Sequence, residues 1–238
     1  MSWTYSPADY MSDTWADIGA QRFRSNGESI GAAFRVNSFT PYHQRQQAVC
    51  GLSDGGFVVC WESLKQYDNS TDIYAQLYDL NGESVGREFH VNTVTTNAQD
   101  SPAIAALTTG GFVICWKFVT SQIRARCFNA QGIPVGDDFQ VSMSKGTVGR
   151  PAICALPNGG FVVSWTLETR DDHLGDIYAR QYGIDHQPVG TDFRVNSYTE
   201  SGQKDVCIAA LSDGGFVACW SSSHQDAVSY THLRAHET

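Results

Sequence analysis

The sequence predicts an all-β protein, a β-propeller-like array of four four-stranded antiparallel repeats. Three observations predict it: a recurring Gly-Gly-Phe to Trp segment, strand-like apolar periodicity, and turn residues at fixed places. The recurring segment occupies residues 55–61, 110–116, 159–165 and 214–220. Successive copies of its tryptophan, counted from Trp3, lie 58, 55, 49 and 55 residues apart. Self-similarity at a nearly fixed period is the signature of repeat architectures.

Each repeat contains four apolar segments that read as strands. In the second repeat they occupy residues 73–78, 88–92, 102–107 and 111–116. The first segment alternates with a period of two, as a half-buried strand does, whereas the last two are nearly continuous apolar runs typical of strands covered on both faces. No stretch keeps a 3.6-residue apolar period beyond one turn, so no helix is predicted.

Glycines mark the turns between these strands. Asn81-Gly82 follows the first strand of the second repeat, and the pair Gly55-Gly56 precedes the recurring segment of the first. Glycine adopts the positive φ that tight hairpins need. We therefore interpret the glycine pairs as conformational and not as ligand-binding.

Small sheets that repeat radially bury both faces against their neighbours, and this favours propeller blades. The main alternative is a parallel β-helix, whose coils are shorter and lack hairpins at this density. We assign a repeat domain over residues 1–222, with repeats at about 15–63, 64–118, 119–168 and 169–222. Four copies suffice for a small closed ring, but the start near Trp3 and the abrupt end favour a fragment of a larger ring, with further repeats in a parent chain.

The last sixteen residues, 223–238, depart from the repeat. The pattern predicts another loop and strand there, but the sequence instead resembles translated sequencing-adapter sequence. We interpret this tail as an artefact and exclude it from the fold.

Composition excludes several classes of partner. The 238-residue chain has a formal net charge of −9 and only 17% charged residues. Nucleic acids and anionic membrane surfaces both require a basic footprint, so neither is an expected partner. No apolar run approaches the roughly 18 residues of a membrane-spanning helix, and the N-terminal residues do not have the pattern of a signal peptide.

The segments 72–76, 85–92 and 111–116 together resemble a repeat of large bacterial secreted and surface proteins. These are the haemolysin-type (RTX-like) calcium-binding proteins and adhesins. The resemblance covers residues 15–222 and implies an extracellular or cell-surface location. The glycine-aspartate nonapeptide that binds calcium in RTX β-rolls is absent, so calcium binding does not follow from the resemblance.

Two acidic loops after the tryptophans are nevertheless candidates for Ca²⁺. The candidate metal ligands are Asp68, Asn69, Asp72, Asp171, Asp172 and Asp176. Flexible loops with alternating oxygen ligands suit calcium, which takes six to eight of them. The spacing is not that of an EF-hand, and we favour a solvated turn in which aspartate caps local amides over a metal site.

The sequence predicts that the cysteines are small buried residues with free thiols. Cys60, Cys115 and Cys219 share one repeat position, which Ser164 fills in the third repeat. Exchange with serine argues against ligands or bridges, and no Cys-x-x-Cys spacing occurs. Free thiols fit a reducing compartment, which stands in tension with the secreted resemblance.

No catalytic motif is evident, because the sequence has no His-Glu-x-x-His, no nucleophile elbow and no phosphate loop. We therefore favour a non-catalytic repeat module of an extracellular or surface protein that presents variable loops to a protein or glycan partner, with Ca²⁺ as a candidate stabilising ion. The alternatives are a carbohydrate-active, sialidase-like hydrolase propeller, which needs a pair of carboxylates, and a structural spacer.

Overall fold

The computed structural model describes residues 2–5 (backbone only), 15–67, 69–169 and 175–223. This part of the chain contains eighteen strands and no helix, which confirms the all-β prediction. The strands are β1 (Ser2–Tyr5), β2 (Asp17–Phe23), β3 (Ser29–Arg35), β4 (Gln44–Gly51), β5 (Phe57–Leu64), β6 (Thr71–Tyr78), β7 (Ser84–His90), β8 (Gln99–Ala106), β9 (Phe112–Phe118), β10 (Gln122–Phe128), β11 (Phe139–Gln140), β12 (Thr147–Val148), β13 (Ala152–Ala155), β14 (Phe161–Glu168), β15 (Gly175–Tyr182), β16 (Pro188–Arg194), β17 (Gln203–Ala210) and β18 (Phe216–Ser222).

The strands form five antiparallel sheets in chain order. The sheets are β1-β2-β3, β4-β5-β6-β7, β8-β9-β10-β11, β12 and β13 with β14-β15-β16, and the hairpin β17-β18. The first strands of successive sheets, β4, β8, β13 and β17, are neighbours in space. They are therefore the innermost strands of four propeller blades, each one hydrogen-bonded sheet, which we number one to four in this order. The sheet β1-β2-β3 precedes blade one. Each blade is offset from the predicted repeats, since β4 and β5 belong to repeat 15–63 and β6 and β7 to repeat 64–118.

The core lies between the blades. On β5, Val58 and Cys60 point toward the next blade and pack with Ile114 and Trp116 in one buried cluster. Val59 and Trp61, which alternate with these two residues, point to the opposite face and pack with the preceding sheet. Because successive side chains alternate between faces, a blade that is apolar on both faces must be covered on both sides.

The glycine pairs shape the hairpins. Gly111 has a φ of +84°, and a Cβ atom at this position would lie 2.2 Å from the carbonyl oxygen of Phe128 on the neighbouring strand. Only glycine permits both the left-handed conformation and the close approach of backbone. The pair is conformational, as the sequence predicts.

An Asn side chain after the outermost strand is repeated from blade to blade. Asn92 Oδ1 accepts a hydrogen bond of 2.8 Å from the backbone N–H of Ile73, and Asn92 Nδ2 donates to Asp72 at 2.7 Å. Asn37 and Asn196 bond their own blades in the same way. These buried side chains join the start of the third strand to the chain that leaves the blade.

Carboxylates on the outermost strands join neighbouring blades. Each accepts hydrogen bonds from backbone N–H groups of the segment that follows the preceding blade. The pairs are Glu88 with Ser38 (2.7 Å), Asp138 with Thr93 (2.7 Å), and Asp192 with Met143 and Ser144 (3.2 Å each). The three carboxylates occupy the same position in their repeats and therefore have the same structural role.

Asp138 is the most buried of these carboxylates, and its replacement by alanine is expected to lower the free energy of unfolding by about 3–5 kcal/mol. Its side chain is 1% exposed and paired with Arg124. Burial by itself raises the pKa of Asp138, but the hydrogen bond from Thr93 and the Arg124 guanidinium outweigh it, so the pKa is lowered. The stabilisation is therefore present above the unfolded pKa and is lost as the pH falls through the lower folded pKa.

Urea denaturation of Asp138→Ala and of Asp137→Ala at neutral pH measures this effect. Asp137 is exposed and serves as the matched control. Equal unfolding free energies for the two variants would refute the role of Asp138 between the blades.

In the part of the chain that the structure describes, no helix could span a membrane.

Candidate functional site

The candidate site lies where the innermost strands begin. Three of these strands open with a buried glutamine whose Oε1 accepts a hydrogen bond from the indole N–H of the tryptophan on the next strand. The pairs are Gln44 with Trp61 (3.0 Å), Gln99 with Trp116 (2.7 Å) and Gln203 with Trp220 (2.8 Å). The third blade has Val148 at this position, and the Nε1 of Trp165 has no partner among the described residues.

A bulge follows each of these glutamines. The register shifts between Arg45 and Ala48 on β4, and between Asp100 and Ala103 on β8. Gln46 and Ser101, which lie in the bulges, have φ values of 54° and 55°. Non-glycine residues rarely adopt this conformation, and bulges redirect side chains at functional sites. Gln46 Oε1 lies 3.4 Å from Ser101 Oγ, so the two bulges meet.

Glu62 is a buried carboxyl group beside these bulges. It stands opposite Arg45 in the β4–β5 ladder, and its side chain is 1% exposed. Arg45 Nε and Nη2 both lie 2.9 Å from Glu62 Oε1, while the backbone nitrogen of Ser101 lies 3.5 Å from Oε2. Burial raises the pKa of Glu62, Arg45 opposes the rise, and the charge of Asp100 adds to it.

Asp100 is the second carboxylate of the site and has a different environment. Its Oδ1 accepts a hydrogen bond of 2.8 Å from the Ser101 hydroxyl and lies 3.1 Å from the Lys117 ammonium group. The side chain is 24% exposed. The two carboxyl groups therefore differ in burial and in the groups that contact them.

These charges are specific to two blades. Glu62 and Lys117 occupy the same repeat position, one residue after the tryptophan, and Arg45 and Asp100 stand opposite them. The third blade has Gly149 and Thr166 at these positions, and the fourth has Lys204 and Ser221. Residues that build the scaffold recur in most blades, whereas these change in chemical type from blade to blade. Such variation is expected of a site carried on a common scaffold.

The residues predicted to bind calcium do not come together in the described part of the chain. Asp68, Asp171 and Asp172 lie outside the described residues, and Asn69 is exposed. Asp72 and Asp176 accept hydrogen bonds from the Asn92 and Asn196 amides, at 2.7 and 2.6 Å. Among the described residues, no group of three or more His, Cys, Asp or Glu side chains could hold a metal ion. Calcium binding by the two loops stays a prediction.

The prediction that the cysteine side chains are buried is confirmed for four of the seven. Cys60, Cys115, Cys127 and Cys154 are buried, Cys50 is half-buried, and Cys207 and Cys219 are exposed. Cys219 shares the repeat position of Cys60, but no described residue covers its face of β18. The prediction that Cys219 is buried is therefore wrong, because burial at this position depends on a neighbouring blade.

Comparison with known proteins gives a result only at the level of three-dimensional structure. No protein-family model and no curated protein matches the chain. The leech intramolecular trans-sialidase has a TM-score of 0.58 and 14% identity, over 87% of this chain and 33% of that one. The α-L-arabinofuranosidase Arb93A from Fusarium graminearum has a TM-score of 0.55 and 13% identity, over 93% of this chain and 66% of that one. A further match, described as NanB plus Optactamide, has a TM-score of 0.58 and 11% identity, over 86% of this chain and 32% of that one.

The chain thus spans about a third of two of these proteins and two thirds of the other. The identities are too low to transfer an activity, but the shared fold is that of propeller glycosidases. The interpretation as a non-catalytic binding module is corrected by this finding, which agrees better with the hydrolase-type alternative. The fold of this chain is a β-propeller, seen here as successive blades.

Proposed function

We propose that the chain contributes the acid–base centre of a carbohydrate-active hydrolase, which cleaves a glycosidic bond where the innermost strands begin. The observation that carries the proposal is Glu62, a buried carboxyl group with a raised pKa beside a second, ion-paired carboxylate. Glycosidases need two carboxyl groups, one acting as the general acid and the other as the base or nucleophile. A purely structural blade does not require such a pair of carboxyl groups, and the third and fourth blades lack it.

Glu62 is the proposed general acid. In its protonated form it donates its proton to the glycosidic oxygen as the bond to the anomeric carbon breaks, and it is left as a carboxylate. Arg45 then faces the new negative charge at 2.9 Å and stabilises it. The same contact orients the carboxyl group before the reaction, because its two nitrogen donors approach one oxygen.

Asp100 is the proposed second carboxylate. Lys117 and the Ser101 hydroxyl both contact Oδ1, and Oδ2 accepts no hydrogen bond from any side chain or backbone group that the structure describes. Oδ2 is therefore available to remove a proton from the attacking water or to attack the anomeric carbon itself. The configuration of the first product, followed by NMR, distinguishes the two routes, which give inversion and retention respectively.

A polar cavity at the same end of the blades provides room for adjoining sugars. Its volume is about 960 Å³, and it is lined by the β9–β10 turn and the segment that enters β12. Hydroxyl, amide and ammonium groups face it from Thr120, Ser121, Gln122, Lys145 and Thr147. The cavity does not include Glu62 or Asp100. It lies on the blade of Asp100 and on the blade that follows, as a binding site for the remainder of a glycan chain would.

Release of the aglycone from a panel of aryl glycosides, including α-L-arabinofuranosides and sialosides, tests the proposal. The Asp100→Asn variant is expected to lose at least about 100-fold in kcat/KM, because an amide can act neither as a base nor as a nucleophile. Lys204→Gln, which changes the corresponding position of the fourth blade, is the matched control and is expected to keep full activity. Hydrolysis that survives in Asp100→Asn would exclude Asp100 from the chemistry.

The extracellular or cell-surface location stays part of the proposal. It is supported by the resemblance of the repeats to those of secreted proteins and agrees with a polymeric glycan substrate, which enzymes outside the cell encounter.

A further inference from the structure

Two exposed cysteines face each other across the last hairpin. In the β17–β18 ladder, Cys207 is the direct antiparallel partner of Cys219. Directly opposite residues of antiparallel strands have Cα atoms about 4.5 to 5.5 Å apart. A disulfide bond requires about 4.4 to 6.8 Å. The register alone therefore places the two thiols within reach of a covalent bond, with no movement of the backbone.

The cysteine pair is unique to this blade. The corresponding cross-strand pairs are Ala48 with Cys60, Ala103 with Cys115, and Ala152 with Ser164. Cys60 and Cys115 are fully buried between blades, whereas both cysteines of the β17–β18 pair are exposed. Cys219 is the cysteine of the recurring position, and Cys207 lies opposite it. Both side chains are exposed, so an oxidant in solution can reach them.

We propose that Cys207 and Cys219 form a reversible disulfide bond, and that this pair is the thiol-oxidation site of the protein. The co-reactant is a small disulfide such as oxidised glutathione. One cysteine thiolate attacks a sulfur of glutathione disulfide and releases one glutathione thiol. The second cysteine thiolate then attacks the mixed disulfide and releases the other. Two protein thiols are oxidised, one glutathione disulfide is reduced, and two glutathione thiols leave.

The remaining cysteines are poor competitors for the oxidant. Burial raises the pKa of Cys50 to about 12 and that of Cys154 to about 11, and it also raises the pKa values of Cys60, Cys115 and Cys127. Since the thiolate is the nucleophile in thiol–disulfide exchange, these groups react slowly as well as being less accessible. Selective oxidation of the exposed pair follows from both properties.

The bond would reinforce the blade that has the fewest described strands. The sheet β17-β18 has two strands where the blade β4-β5-β6-β7 has four, so fewer ladder hydrogen bonds hold its ends together. A cross-link between the two strands constrains the unfolded chain without adding any contact to the folded one. Oxidation is therefore expected to raise the melting temperature, and reduction by dithiothreitol to reverse the rise.

Peptide mapping after equilibration in a glutathione redox buffer tests the inference. Cleavage before Asp213 separates the two cysteines, so a disulfide between them appears as two peptides joined in the non-reduced digest and separated on reduction. The expected result is this single cross-link in the monomeric protein, together with a melting temperature that responds to dithiothreitol. In Cys207→Ala and in Cys219→Ala both signals are lost, whereas the control Cys154→Ala keeps both.

Three outcomes would overturn the inference. They are separate glutathione adducts on the two cysteines with no cross-link between them, a cross-link that includes one of the five other cysteines, and covalent dimers on a non-reducing gel. A variant that fails to fold does not obscure the result, because the mapping is performed on the unmodified chain. Glycoside hydrolysis is not used as a readout, so failure here is distinguishable from failure of the proposed activity.

Discussion

Replacing Glu62 with glutamine is expected to lower the rate of glycoside hydrolysis by about 100-fold to 10,000-fold, the usual contribution of a positioned general acid. Glutamine keeps the size of the side chain and an oxygen that can face Arg45, but it has no proton to give to the leaving oxygen. The fold should survive the change, because the glutamine introduces no buried charge. A loss of kcat with little change in KM is therefore the expected pattern.

The pH dependence of the reaction gives an independent test of the same residue. A general acid works in its protonated form, so the rate falls as the pH rises through its pKa. Because burial raises the pKa of Glu62, this fall is expected at higher pH than an ordinary glutamate would give. The Glu62→Gln variant is expected to lose this limb of the profile, whereas Glu83→Gln, at an exposed hairpin position, retains it. An unchanged profile in Glu62→Gln would assign the proton transfer to another group.

The free energy of unfolding should also depend on the protonation of Glu62, and the direction of this dependence follows from the raised pKa. A carboxyl group whose folded pKa is raised binds more protons in the folded state than in the unfolded one. Its contribution to stability is therefore fully present below the unfolded pKa and is lost as the pH rises through the folded pKa. Glu62→Gln removes this dependence, and unfolding free energies measured on both sides of the window show the difference.

Replacing Gln99 with valine is expected to lower the free energy of unfolding by about 1–3 kcal/mol, the usual effect of leaving a buried donor unpaired. Gln99 is fully buried and its Oε1 accepts a 2.7 Å hydrogen bond from Trp116 Nε1. Valine cannot accept that bond, and the tryptophan has no access to water, since it is 0% exposed.

The third blade lacks the glutamine, so the opposite substitution can be tested there. Val148 stands at the position of Gln99, and the buried Nε1 of Trp165 has no partner among the described residues. Val148→Gln supplies the missing acceptor and is expected to raise the free energy of unfolding by about 0.5–1.5 kcal/mol. Thermal or urea unfolding of the two variants compares them directly. If both changes lower the free energy of unfolding, side-chain volume and not the hydrogen bond determines the stability contributed at this position.

The sequence predicted well where one local rule controls the structure. The alternation along 73–78 and the apolar runs such as 111–116 became strands because side-chain period and burial are properties of neighbouring residues. The glycine pairs fell in hairpins because no other residue accepts both a positive φ and a backbone atom at 2.2 Å.

The sequence did not reveal the carboxylate pair. Glu62 and Asp100 lie 38 positions apart along the chain and meet only because β5 of one blade lies beside β8 of the next. A signal was present in the repeat itself, since the position after the tryptophan changes from glutamate to lysine to threonine to serine. Comparing the repeats position by position, for variation as well as for similarity, would have marked Glu62 and Lys117.

The sequence indicates the acidic loops through their oxygen ligands, but a count along the chain does not show which oxygen atoms already accept hydrogen bonds. Asp72 and Asp176 each accept a hydrogen bond from an asparagine that leaves the same blade. The sequence by itself determined the strands, the turns and the radial repeat, because these depend on residues close together in the chain. The tertiary structure alone decided which carboxyl group is buried beside Asp100 and which cysteine faces another, because strand register and blade contacts join residues that are distant in sequence.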